Sequence, residues 1–195
     1  MFSLVRHPRR SAALIALVVV VPFVAYAVVV ATRTASPQPS AAVASATLHE
    51  GSLAPTGFTL RILGATSSSS LAALIHHRPA IINFFASWCT VCQQELDAFG
   101  AYDRQKSSRI AVVGIDTNDH DPALAMQLLH NARASFPVLS DTSSLAVALA
   151  YGIADLPVTF FVSSTGHVVA EQLGGVSEQQ LQHEQAALIK IAGAT

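Results

Sequence analysis

The chain has 195 residues, 51% of them hydrophobic and 12% charged, with a formal net charge of −1. That length holds one domain of about 100–150 residues plus an extension, not two ordinary domains. The near-zero charge, with no basic stripe, argues against nucleic acid as a partner. Two cysteines spaced C-x-x-C cannot form the several bridges of a small secreted scaffold, so they are a local device.

The chain opens with Arg6, Arg9 and Arg10 and then carries no charged residue until Arg33. An apolar run of about 20 residues at helical rise spans a bilayer's hydrocarbon core. The arginine excess before it places the N-terminus in the cytoplasm. The expected organisation is therefore a basic cytoplasmic tail at 1–10, a transmembrane helix at 11–32, a flexible Ala/Ser/Pro tether at 33–52 and an extracytoplasmic domain at 53–195. The alternative for 11–32 is a cleaved signal peptide, since Val29 and Ala31 suit a signal peptidase, although the run exceeds the usual h-region. Both readings place the domain outside the cytoplasm.

Within the domain, 58–63 reads as a strand, followed by a Ser-rich turn and a short helix at 71–76. The run 80–85 is nearly continuous in apolar residues, the pattern of a buried strand. After the cysteines, Cys92, Leu96, Phe99 and Tyr102 lay one apolar stripe along a helix, while Glu95, Asp97, Asp103 and Arg104 fall mostly off it. Residues 110–115 form an apolar strand, and Asp121-Pro122 starts a helix at 122–133. A short strand at 137–139 precedes a helix at 143–151, which Gly152 stops. The segments 158–162 and 167–173 bracket Ser164-Thr165-Gly166 as a hairpin. Ser177 with Gln180 forms a capping box that opens a last helix to about Ile191. This is an α/β layer fold with an antiparallel hairpin at one edge. No repeat, phosphate loop or metal-ligand cluster is visible, so no cofactor or metal is expected, and the histidines read as surface residues.

The pair Cys89 and Cys92 follows the buried strand and opens a helix. Half a zinc site is the usual competitor, but no second pair of ligands exists to complete it. At a helix start the unpaired N–H groups and the dipole favour a thiolate, so Cys89 should be the more acidic, more exposed, attacking thiol. Cys92, on the apolar stripe, would resolve the mixed disulfide.

The segment Asn83-Phe84-Phe85-Ala86-Ser87-Trp88-Cys89-Thr90-Val91-Cys92-Gln93-Gln94-Glu95 resembles the active-site segment of the TlpA/ResA/DsbE-like branch of the thioredoxin superfamily, which is of the AhpC/TSA redoxin type. Ala54 to Leu60, Tyr151 to Phe160 and Gly174 to Leu181 are similar to other segments of that family. The resemblance implies a thioredoxin-like fold with a central mixed sheet flanked by helices. It further implies a cis bond at Pro157 packed against the cysteines, and substrate binding through Trp88, Pro157 and the backbone of Leu156. Glu95 is implied as an aid to proton transfer; on the residues alone it reads equally well as a solvated helix charge. Asn83 stands where cytoplasmic thioredoxins carry a buried aspartate. Two departures stand out: Thr90-Val91 lacks the proline that many relatives have between the cysteines, and Asp97 stands where a proline often kinks the helix.

The activity implied is thiol–disulfide exchange on exported proteins, apocytochrome c among them, as a reductant supplied with electrons by a transmembrane thiol transporter. An oxidase or isomerase is the first alternative. A peroxiredoxin-like peroxidase is less favoured because Phe85 and Cys89 replace the proline and threonine of that family's motif. A redox-inert binding module is the non-enzymatic alternative.

Overall fold

A computed structural model describes residues 48–106 and 109–192. The expected membrane helix and most of the tether lie outside them. Among the described residues no helix is long and apolar enough to cross a membrane.

The chain runs β1 (Thr59–Ile62), β2 (Ser68–Ser70), α1 (Leu71–Ile75), β3 (Ala80–Phe85), α2 (Thr90–Gln105), β4 (Ala111–Thr117), α3 (Pro122–Asn131), β5 (Val138–Asp141), α4 (Ala146–Ala150), β6 (Val158–Val162), β7 (Val168–Leu173) and α5 (Glu178–Ala192). The seven strands form one sheet in the order β2-β1-β5-β4-β3-β6-β7. The centre, β5-β4-β3, is parallel, and the flanking pairs are antiparallel. Every residue of β3, β4 and β6 is buried, as the continuous apolar runs require of strands covered on both faces.

Alternation along the strands divides the core. Ile82, Phe84, Val113, Ile115 and Phe160 meet α1 and α4 on one face, where Phe84, Tyr151 and Phe160 form an aromatic trio. Ile81, Phe85, Val112 and Phe161 pack on the other face against Cys92, Leu96, Phe99 and Tyr102 of α2 and Leu181 and Leu188 of α5. Helix α2 runs unbroken through Asp97. Gly100 is the point where it meets the end of α3, because a Cβ there would lie 1.8 Å from the Ala132 carbonyl oxygen. That same oxygen accepts from Arg104 at 3.3 Å.

Local signals held where the contacts are local. Ser177 and Gln180 exchange capping-box hydrogen bonds, and the Asp121 side chain accepts from Leu124 N–H at 3.0 Å with Pro122 in the first turn. The Ser-rich segment differs from expectation. It forms edge strand β2 against β1, and Ser70 then caps α1. His76 and His77 do not lie on that helix, since both adopt left-handed backbone beyond its end, with φ of 50° and 57°. Residues 48–52, part of the expected tether, lie against the hairpin: Leu48 is buried, and Gly51 N–H donates to the Val168 carbonyl at 2.8 Å.

Candidate active site

At the C-terminal ends of β3 and β4, four connections surround the cysteines: 86–89 after β3, 118–121 after β4, 151–157 before β6 and 174–177 after β7. Cys89 and Cys92 are joined as a disulfide, S–S 2.06 Å. Cys89 is the N-cap of α2, and its sulfur accepts from Cys92 N–H at 3.1 Å. A helix-start N–H aimed at that sulfur favours its anionic form. Cys89 keeps 6% exposure and Cys92 none, so Cys89 is the more accessible sulfur, though only narrowly.

Trp88 is 55% exposed beside the pair, and its indole Nε1–H donates to the Asn118 carbonyl at 2.8 Å. A groove of about 240 Å³ opens along it, lined among others by Asn118, Leu149, Ile153 and Leu156. The Leu156–Pro157 bond is cis, and the Pro157 carbonyl accepts from Gly174 N–H at 2.9 Å. Gly174 has φ of 79°, a conformation glycine takes without a Cβ penalty.

Glu95 is not a solvated helix charge. It is buried, with Oε1 accepting from Asn83 Nδ2 at 2.8 Å and Oε2 from Val176 N–H at 3.1 Å. Asn83 also donates to Thr159 Oγ1 at 3.1 Å, tying β3, β6 and α2 together. Burial pushes the Glu95 carboxyl up to about 7 although both hydrogen bonds pull the other way. Asp103, expected off the apolar stripe, is buried too. Burial opposes its charge, but Lys106 and Ser135 outweigh that and hold it below the usual carboxylate range.

Two further acids, Asp116 and Asp119, went unread in the sequence. Asp119 accepts from Ser87 N–H at 2.5 Å, from Ser87 Oγ at 2.8 Å and from Asp121 N–H at 2.9 Å. Asp116, wholly buried at the end of β4, faces it. No N–H or O–H of other residues reaches either Asp116 oxygen. Two carboxyl groups can hydrogen-bond to each other only if one carries a proton. Burial, then the Asp119 charge and their hydrogen bond, raise Asp116 to about 8, so the proton sits there. Asp119 stays below the usual range: burial opposes ionisation, but the donors from Asp121, Ser87 and Asp116 outweigh it. The available signal was an acid directly following the apolar strand 110–115.

A family model described as the AhpC/TSA family matches residues 51–171. The chain belongs to the AhpC/TSA family. Similar curated proteins include the thiol-disulfide oxidoreductase ResA of Halalkalibacterium halodurans, 33% identical over 106 residues that cover 52% of this chain and 57% of that protein. ResA of Bacillus subtilis is 29% identical over 110 residues, covering 56% and 60%. The chain thus spans about three fifths of the length of these relatives. Among solved structures, the putative thiol:disulfide interchange protein DsbE from Chlorobium tepidum is 26% identical with TM-score 0.62, covering 73% of this chain and 99% of that one. A DsbF homologue from Corynebacterium diphtheriae, at 21% identity and TM-score 0.61 over 78% of this chain and 98% of that one, shares the fold. The resemblance to TlpA/ResA/DsbE-like proteins and the thioredoxin-like mixed sheet are thereby shown.

Proposed function

We propose that this protein is a thiol–disulfide oxidoreductase whose working couple is Cys89 and Cys92. The observation that carries the reading is the Cys89 sulfur at the start of α2, accepting the Cys92 N–H. In the reducing direction the Cys89 thiolate attacks a substrate disulfide, forming a mixed disulfide and expelling one substrate thiolate. Cys92 then loses its proton and attacks Cys89, which closes the Cys89–Cys92 disulfide and releases the second substrate thiolate. Glu95, about one turn beyond Cys92, is the group that takes the Cys92 proton, and its raised affinity for a proton suits that task near neutral pH. Trp88, Leu156 and Pro157 border the couple as the surface for an extended substrate segment.

The names of the relatives support this activity, and the apolar run with its preceding arginines supports a single-pass anchor with the domain outside the cytoplasm. The couple acts there as a reductant of exported protein cysteines, apocytochrome c being one candidate, recharged by a membrane thiol transporter. The test is the equilibrium of Cys89–Cys92 with glutathione. Couples of this kind span roughly −270 to −120 mV. A potential near the lower limit is expected; one near the upper limit would make the protein an oxidant. Cys92→Ser should trap substrates as mixed disulfides on Cys89. Failure of the wild-type protein to exchange with glutathione would refute the activity, and rapid peroxide consumption would favour the peroxidase reading.

A further inference from the structure

We propose that Asp119 is a positioning residue for the Cys89–Cys92 couple, its carboxylate fixing the Ser87–Trp88 segment from which Cys89 enters helix α2. This rests on the reading of the cysteines as an exchanging couple.

Ser87 is held at every polar group it has. Its N–H and hydroxyl both donate to Asp119, and its carbonyl accepts from Gln93 Nε2 at 2.8 Å. The next residue is tied to the same loop through the Trp88 indole and the Asn118 carbonyl. Asn118 takes left-handed backbone, φ 51°, beside these anchors. The 118–121 connection is thus joined to the residues just before Cys89 across 32 and 30 positions of sequence.

Capping of α3 does not explain Asp119. The N-cap of that helix is Asp121, whose own side chain accepts from Leu124. Asp119 directs both oxygens at Ser87 while accepting from Asp121 N–H with one of them. Behind it, Asp116 is buried on the face of β4 shared with Val112, and lies opposite Phe85 of β3 in the strand register. Because Cys89 follows Trp88 directly, the lateral position of its sulfur relative to the Cys92 N–H depends on this anchorage. Release of the segment lets the sulfur leave that N–H, and the thiolate loses its stabilising donor.

Full-length protein in detergent, as wild type, Asp119→Ala, Asp119→Asn and Asp103→Ala, provides the test. Trp88 is the sole tryptophan, so its emission reports the anchorage whether or not the cysteines exchange. Asp119→Ala should shift that emission to the red and slow alkylation of reduced Cys89 near pH 7 by about tenfold, the scale of hydrogen bonds to a charged group. Asp119→Asn removes the charge and keeps one acceptor oxygen, so it should be slowed much less. Asp103→Ala breaks a comparable clamp on Ser135 at the far end of α2, and should leave emission and alkylation within about twofold of wild type. If Asp119→Ala alkylates like wild type, or if Asp103→Ala slows Cys89 equally, the assignment is overturned. If Asp119→Ala does not fold, Asp119→Asn decides: it should still show a measurable red shift and partial slowing, and wild-type behaviour in both would overturn the proposal. Wild-type protein that alkylates at Cys89 but never exchanges with glutathione would refute the oxidoreductase reading and leave the anchorage result standing.

Discussion

At the start of β3 and β4 the ladder pairs Ala80 with Ala111, Ile81 with Val112 and Ile82 with Val113, all apolar and all buried. A few residues on, the same two strands pair Asn83 with Gly114 and Phe85 with Asp116, and Glu95 and Asp119 approach from outside the ladder. One end of the sheet is held by burial, which needs no partner geometry. The other holds acids that would be costly to bury without specific donors. The two ends are held by different physics, so perturbing each should leave a different signature.

The largest effect is expected at the apolar end. Ile82→Ala removes a wholly buried side chain that pairs with Val113 on one side and Phe160 on the other, and should cost about 2–5 kcal/mol in denaturant unfolding. The glutathione equilibrium of the fraction that remains folded should not move, since Ile82 lies on the sheet face opposite Cys92. A large shift in that equilibrium would dissolve the distinction between the two ends.

The polar end should declare itself as a pH slope. Glu95 binds its proton more tightly folded, at about 7, than at its ordinary 4.5. Between those values the native state holds more protons than the unfolded one. Its contribution is therefore fully present below about 4.5 and lost as pH rises through 7, roughly 3 kcal/mol in all. Asp116, raised to about 8, acts with the same sign and extends the loss to higher pH. Stability should thus fall as pH climbs from about 5 to 8, and Glu95→Gln should flatten the part of that slope below 7. An identical slope in the variant would mean that Glu95 titrates as an ordinary carboxylate.

Two smaller effects sharpen the contrast. Asp141 Oδ2 accepts from Val147 N–H at 3.0 Å and Ala148 N–H at 2.8 Å, closing the start of α4 where Leu145 offers no side-chain cap. Asp141→Ala should cost about 2 kcal/mol, near the upper range of helix caps, because the donors it leaves are buried. Ser177→Ala removes an exposed capping box and should cost about 1 kcal/mol or less, seen as faster amide exchange in the first turn of α5. If Ser177→Ala proved the costlier, burial would not be what ranks these carboxylate and hydroxyl caps.

The elements legible in the sequence are those written within a few residues of themselves. The stripe Cys92, Leu96, Phe99 and Tyr102, the apolar run of β3 and the caps at Asp121 and Ser177 need only local spacing. Strand β2 was not legible, because three serines become a strand only through pairing with β1. Cys89 and Cys92 could be singled out, while the burial of Glu95 could not. Its partners Asn83 and Val176 lie 12 and 81 positions away, and without them an acid on α2 reads as solvent-facing. The Asp116, Asp119 and Ser87 assembly was hidden for the same reason, being completed across 32 positions.

Gly100 also bears on how the redox centre can move. With the backbone of α2 pressed against the Ala132 carbonyl and Arg104 fastened to the same oxygen, the helix bearing both cysteines has no room to rock toward α3 or turn about its axis at that point. Displacement on opening and closing of the sulfur–sulfur bond is therefore expected in the first turn and the few residues before it. The rest of α2 serves as a fixed mount, and a side chain larger than hydrogen at position 100 would unseat that mount before it touched the sulfurs.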